Sequence, residues 1–335
     1  MTNSKNTCKG ETLLIDRRRA LFGIAAMVAG APAVRAQTSG SSRDILFIVP
    51  WNAGGSNDIL ARQLQPLLKE QGISIIIENV VGATGSIGLR RVAAADPDGY
   101  TLGMGTSSTL ALMAQGKTPL RNDQFTHLAR VSVDPLMLLV PGSSPHKTVE
   151  QFVAYMKKNP GKVTIGTPGN FNLNHIFASM TARAADVPYL NVPYTGGSKV
   201  VADLAGGQID AGVLKPSESL GQITEGLVSA LGVFADARLA LFPSVPTFKE
   251  RGIDVFPFGP VTQMAYVVAP AKMPAEVSDR LTMAFRTAIA DSRFKSFAEK
   301  NAFLVDDLTG RALTSEVDNV AKAISIVAQQ VFKET

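Results

Sequence analysis

The chain is poor in the residues that carry covalent and metal chemistry. Its 335 residues hold one cysteine (Cys8), one tryptophan (Trp51) and three histidines. Cys8 falls in a presequence described below, so a thiol nucleophile, a disulfide and a cysteine metal site are excluded for the mature chain. His127, His146 and His175 stand far apart, without the short spacings of metal ligands. A Gly-x-Ser-x-Gly elbow is absent, which removes the common serine hydrolases. No glycine-rich loop runs on into Gly-Lys-Ser or Gly-Lys-Thr, and Gly82, Gly85 and Gly88 are spaced three apart, so the phosphate-loop and dinucleotide patterns both fail. The chain therefore reads as a protein without catalysis and without a cofactor. It also lacks an internal repeat of fixed period and, past the presequence, any apolar run of the roughly 20 residues that a membrane span needs.

The start of the chain is built for export. Arg17-Arg18-Arg19 precedes the apolar run Ala20 to Ala31, and Val34-Arg35-Ala36 supplies small side chains for a signal peptidase. Basic, apolar, then small is the order of a secretory signal. Arg18-Arg19-Ala20-Leu21-Phe22 also fits a loose twin-arginine signal, so both export routes stay open. Cleavage after Ala36 would remove six basic and two acidic residues and lower the formal charge from +5 to +1. The positive balance thus belongs to targeting, and the periplasmic chain has no charge excess suited to nucleic acid.

What remains alternates strand and helix. Apolar runs at 45–49, 73–77 and 101–105 are separated by helical stretches at 57–71 and 86–95, which implies parallel pairing. The pattern restarts with strands at 136–140, 163–166, 189–192 and 212–214 among helices at 149–158, 174–185 and 198–205. A strand at 264–269 and helices at 275–290 and 312–332 finish the chain. The expected organisation is a signal over 1–36, a first lobe of 43–140 plus 263–335, and a second lobe of 141–262. Two crossing segments would then join the lobes.

Four loops share one design, an apolar strand followed by Gly, Ser, Thr or Asn and then a helix start. They are Pro50-Trp51-Asn52-Ala53-Gly54-Gly55-Ser56-Asn57-Asp58, Gly82-Ala83-Thr84-Gly85-Ser86, Gly166-Thr167-Pro168-Gly169-Asn170-Phe171-Asn172, and Tyr194-Thr195-Gly196-Gly197-Ser198. Helix N-termini present unpaired N–H groups and positive dipole ends, and glycine lets an anion approach the backbone. In a parallel sheet such loops gather at the carboxyl edge, where ligands bind. The set forms a donor-lined cleft without a fixed cation, which suits a carboxylate. Single residues keep two readings here: Trp51 packs in the core or faces ligand, Asp58 accepts local backbone donors or contacts ligand, and His175 caps a helix or contacts ligand.

In order and spacing, several motifs resemble the extracytoplasmic receptors of tripartite tricarboxylate transporters, the Bug-type receptors. They are Ile48-Val49-Pro50 with Gly54-Gly55 and Asp58; Glu78-Asn79 with Gly82-Ala83 and Gly85; Asp98-Gly99-Tyr100-Thr101; Val192-Pro193-Tyr194 with Gly196; Gly206-Gly207-Gln208-Ile209-Asp210; Phe242-Pro243-Ser244-Val245-Pro246-Thr247; and Ala269-Pro270 with Pro274. The resemblance covers essentially the whole mature chain. It implies an α/β, two-lobed type II periplasmic-binding fold that closes on its ligand, and membrane transporter subunits as partners. It implies a ligand carboxylate gripped by loops 50–58 and 82–86. A third first-lobe loop, Thr106-Ser107-Ser108, and second-lobe loops at 170–175 and 194–196, with Asn170, Asn172, His175, Tyr194 and Thr195, complete the implied cleft. A sensory subunit reporting the same ligand to a membrane partner is the alternative role.

Two positions depart from the resemblance. Lys215-Pro216-Ser217 stands where an acidic or amide residue often precedes Pro-Ser, and Thr262-Gln263-Met264 stands where an aromatic is common. Lys215 is expected either on the surface or projecting into the cleft toward a second anionic group of the ligand, as in a dicarboxylate or hydroxy acid. Export itself is testable: intact-mass measurement on exported protein is expected to give a chain beginning at or near Gln37. A mature chain that kept residues 1–36 would remove the export reading.

Overall fold

Buried apolar runs set the strands, and helices with one apolar stripe cover them. The structure, a computed structural model, describes residues 43–259 and 261–332; the presequence lies outside them. The first three units are β1 (Ile45–Val49), α1 (Ser56–Glu70), β2 (Ile75–Asn79), α2 (Ser86–Ala93), β3 (Thr101–Thr106) and α3 (Ser107–Ala114). β4 (Phe125–Val133) and β5 (Leu136–Pro141) follow, then α4 (Val149–Lys158), β6 (Thr164–Thr167), α5 (Leu173–Ala185), β7 (Leu190–Pro193) and α6 (Gly197–Ala205). β8 (Ala211–Leu214), α7 (Pro216–Thr224), β9 (Val228–Phe234) and β10 (Met264–Pro270) lead to α8 (Ala275–Ala290), α9 (Ser292–Lys300) and α10 (Gly310–Val331). Among the described residues no helix is long and apolar enough to cross a membrane.

The strands form two five-stranded sheets of the same plan, β2-β1-β3-β10-β4 and β7-β6-β8-β5-β9. In each, three strands are parallel and the fourth is antiparallel to both neighbours. The fourth strand is exchanged: β5 enters the second sheet directly after β4 of the first, and β10 returns from β9 to the first. The chain therefore crosses twice, and the two lobes share their connections. Because β1, β2 and β3 run parallel, their carboxyl ends lie at one edge, as do those of β6, β7 and β8, so the loops expected to hold ligand come together.

The sequence reading needs correcting in places. Leu136–Pro141 pairs with β8 and β9, so it belongs to the second sheet and not the first lobe. β4 and β9 went unrecognised. β4 carries His127, Arg130 and Ser132 in a strand covered on both faces, and its pairing with β10 shifts register twice, so its alternation is hidden. In β9, Gly232 lies where a Cβ would come 2.8 Å from Val149, so the apolar pattern breaks for a packing reason.

Helix α10 straps the two halves. Leu313, Val317, Val320, Ile324 and Val327 enter one apolar core that also takes in Leu110 and Leu120 from the first lobe and Ile176 and Phe177 from the second. Two buried histidines lie beneath it. His127 donates from Nε2 to Asn122 Oδ1 at 3.1 Å, with Nδ1 3.3 Å from Thr314. His175 accepts the Phe171 N–H at Nδ1 (3.1 Å), and its ring packs 4.7 Å from that of Phe332.

Burial pushes both imidazoles down to about 4, Asp318 opposing the shift weakly at His127. Their folded values lie below the unfolded value near 6.5, so the unfolded chain takes up protons first. This contribution to stability is complete above pH 6.5 and is lost as pH falls from 6.5 toward 4. By pH 4.5 the loss is roughly 2–3 kcal/mol for each imidazole. Urea unfolding at pH 7.0, 5.5 and 4.5 is expected to show this slope, flattened in a His127→Gln, His175→Gln double variant. Equal slopes in the two proteins would refute the assignment.

Candidate functional site

The first cleft loop is braced from within. β1 ends at Pro50, Gly54 takes φ +77°, and Gly55 precedes α1 without a side-chain cap. Asp58 in the first turn accepts the Gly54 N–H (2.9 Å), two Arg62 guanidinium bonds (2.8 and 2.9 Å) and the Asn79 amide (3.0 Å). Burial opposes its ionisation, but Arg62, the Gly54 N–H and Asn79 together hold the carboxyl below its ordinary range. Asp58 is thus engaged by Gly54, Arg62 and Asn79, which fits the reading in which it accepts local donors. Arg62 also matches its charge, so Asp58 does not cancel the positive end of α1. Trp51, Gly55, Ser56 and Asn57 line the interlobe cavity, while Ala53 and Gly54 are exposed and outside it.

The second and third loops divide their residues similarly. Ala83, Thr84 and Gly85 take φ of 44°, 51° and 86°, a left-handed run that turns the chain sharply into α2. Thr109 Oγ1 donates to the Thr84 carbonyl (3.2 Å), and Thr84 Oγ1 reaches across the cleft to the Asn170 carbonyl (3.3 Å). The Ser86 hydroxyl is buried with no partner among the described residues. Thr106 caps α3 by accepting the Thr109 N–H (3.4 Å), and Ser107 donates to the Thr262 carbonyl (2.7 Å) while accepting the Met264 N–H (3.1 Å). Both side chains thus make structural hydrogen bonds, and neither lines the interlobe cavity. Ser108, next in the same loop, lines the cavity.

On the second lobe, Asn172 caps α5 by accepting the His175 N–H (2.9 Å) and faces the cavity beside Asn174. Asn170 is exposed, and His175 borders a separate hollow with Ser179, Arg183 and Tyr189. His175 therefore does not join the interlobe cavity, because its ring is held under the Phe171 N–H and against Phe332. The Tyr194 hydroxyl donates to Asp203 on α6 (2.7 Å); burial and then Asp203 push it up to about 12. Thr195 is exposed, its carbonyl accepting from Asn52 Nδ2 across the cleft (3.1 Å).

Lys215 is 4% exposed, so it is not a surface residue. From the end of β8 its Nζ donates to Ser56 Oγ (3.0 Å) at the start of α1 and pairs with Asp134 between β4 and β5. Its ammonium is therefore already matched, contrary to the expectation of a free cation awaiting a second anionic group. Glu218 accepts the Lys215 N–H (3.4 Å), and a Cβ on Gly197 would come 2.6 Å from its carboxyl oxygen. Burial pushes the Glu218 carboxyl up; Lys215 opposes this and Asp134 adds to it.

These groups enclose a cavity of about 30 Å³. Trp51 and Pro168 separate it from a hollow of about 350 Å³ lined by Gly82, Thr84, Gly85 and Tyr194. The buried Trp51 Nε1, Asn57 Oδ1, Asp134 Oδ1 and Gln263 Oε1 have no partner among the described residues. Sequence reasoning missed Asp134 and Glu218, and placed Asn57 and Asn174 within the cleft loops without singling them out. Glu218 had a legible signal, since Pro216 at the first helical position and an acid two residues later mark a helix start.

Comparison with known proteins agrees with this geometry. Residues 60–328 match the family model of the tripartite tricarboxylate transporter family receptor. A UPF0065 protein of the gbd 5′ region of Cupriavidus necator is 32% identical over 277 residues, 81% of this chain and 80% of the relative. Among solved structures, MatC of Rhodopseudomonas palustris with bound malate superposes with a TM-score of 0.80 at 27% identity, covering 86% of this chain and 99% of that one. The periplasmic binding protein BugD gives 0.80 at 26% identity, covering 86% and 97%.

Proposed function

Because the chain belongs to the tripartite tricarboxylate transporter receptor family, we propose that it captures a small carboxylate between its lobes outside the cytoplasmic membrane and delivers it to the membrane subunits of a secondary transporter. The family consists of binding receptors, and this chain is one of them rather than an enzyme. The observation that carries the reading is the set of uncommitted donors at the first-lobe wall. Ser56 and Asn57, in the first turn of α1 where a helix carries unpaired N–H groups, line the cavity beside Trp51, whose buried Nε1 has no partner among the described residues. A carboxylate seated there would satisfy donors that the fold leaves free. MatC, solved with malate, lends the ligand class.

Closure is part of the reading. Asn52 to Thr195, Thr84 to Asn170, Gln115 to Phe171 and Lys215 to Ser56 join the lobes across the cleft. Such contacts would form as the lobes shut on ligand, with the two crossings as the hinge.

Gly55 is the position at which to test the grip. Gly85 has φ +86° and a Cβ there would come 2.9 Å from Thr109 Oγ1, so its replacement would strain the loop itself. Gly55 lies at φ −77°, which any residue adopts, with the nearest atom 3.2 Å from a built Cβ. Gly55→Val is expected to keep the circular dichroism spectrum and to weaken the best-bound member of a panel of two- to six-carbon carboxylates. Disturbing one charge-assisted hydrogen bond costs roughly 1.5–3 kcal/mol, about 10- to 150-fold in Kd by calorimetry. Fluorescence of Trp51 is expected to respond to the same titration. Unchanged affinity together with silent fluorescence would move the site out of the cleft.

A further inference from the structure

The far wall of the same cavity has the opposite character. Glu218 lines it, Asp134 pairs with Lys215 there and keeps its Oδ1, at 1% exposure, without a partner among the described residues, and Gln263 adds a carbonyl oxygen in the same state. An amide can turn to present its nitrogen, but a carboxylate cannot change ends, so the two acids fix the polarity of this wall. Lys215 is the one Lys or Arg among the lining residues, and its charge is matched by Asp134. The N-terminus of α6 would otherwise welcome an anion from the second lobe, but the Glu218 carboxyl already covers Gly197 in its first turn.

We infer that the second-lobe end of the cleft selects a hydrogen-bond-donating head group on the ligand, an ammonium or a primary amide, and rejects a second carboxylate. The inference rests on the proposed carboxylate grip of the first-lobe wall and names what lies at the other end of the ligand. For the amide it holds for either protonation state of Glu218, and for the ammonium with Glu218 ionised. With Glu218 ionised, Asp134, Glu218 and Lys215 sum to one negative charge, which an ammonium neutralises and a carboxylate doubles. With Glu218 protonated the group is neutral, and a second carboxylate would bring an unmatched buried charge. An amide donates to the free oxygens in both cases.

The test uses the mature chain and matched ligands that differ only at the head group: succinate, succinamate and 3-aminopropanoate, then glutarate, glutaramate and 4-aminobutanoate. Calorimetry at pH 7.5 is expected to show, in a triple that binds, at least one donor-headed member tenfold or more tighter than the dicarboxylate. Glu218→Gln keeps the shape and still serves the start of α7, since Gln substitutes for Glu at that capping position. With Glu218 ionised it is expected to shift the ratio of the two Kd values by tenfold or more toward the dicarboxylate, and with Glu218 protonated to leave the preference for the donor head group in place. A wild-type protein that binds the dicarboxylate as tightly as its donor-headed partners overturns the inference and leaves the carboxylate grip standing. Binding of none of the six refutes the grip first, and the head-group assignment falls with it.

Discussion

The ammonium of Lys215 reaches from the end of β8 to Asp134 and Ser56, and three parts of the molecule meet at that point: the second sheet, the first crossing and the first turn of α1. Asp134 also donates its N–H to the Gln263 carbonyl (2.8 Å), extending the β4–β10 pairing by one step into the crossings. The two crossings therefore touch each other where they leave the first sheet. A buried ion pair is weak evidence for stability, because desolvating both charges offsets most of their attraction, whereas losing one partner leaves the other stranded. Its structural consequence here is positional. With Lys215 on Asp134, α1 and β8 are held at a fixed separation, and the cavity between them has a defined size.

That constraint depends on the exchange of strands. Each sheet lacks its fourth strand until the chain has crossed, since β5 and β10 are supplied from the opposite half. Neither half can complete its sheet alone, and the same strands that complete the sheets carry the crossings. Helix α10 then spans the joint, packing its apolar stripe on residues of both lobes. The two crossings meet at Asp134 and Gln263, and Gln263 lines the cavity.

How much of this was legible in the sequence follows from the kind of signal. The βα units of both halves showed because each is a short apolar run followed by a stripe of apolar residues at helical spacing, and these are local patterns. β4 and β9 did not show. Polar residues buried between two helical layers and a glycine pressed against Val149 break the alternation for reasons that exist only after folding. The cleft loops were legible as glycine-rich strand ends, but the division of work within them was not. Asp58 against Ser56, and Ser107 against Ser108, differ in which neighbour reaches them, and those neighbours, Arg62, Asn79, Thr262 and Met264, are set by the fold. Lys215 drew notice as a departure, yet its charge partner is 81 residues away and had no local signature.

The two walls of the cleft consequently differ in chemistry. At the first-lobe wall the acid is neutralised internally: Asp58 is closed off by Arg62 and Asn79, so the positive end of α1 stays uncancelled toward the cavity. At the second-lobe wall the acids outnumber the base, and acceptors remain. A molecule with an acceptor at one end and a donor at the other satisfies both walls together, and only when the lobes are shut. Desolvating Lys215, Asp134 and Glu218 offsets most of their mutual attraction, so the bare closed form gains little from them. A ligand that satisfies both walls binds the closed form alone, and that difference in affinity is what shifts the equilibrium toward closure.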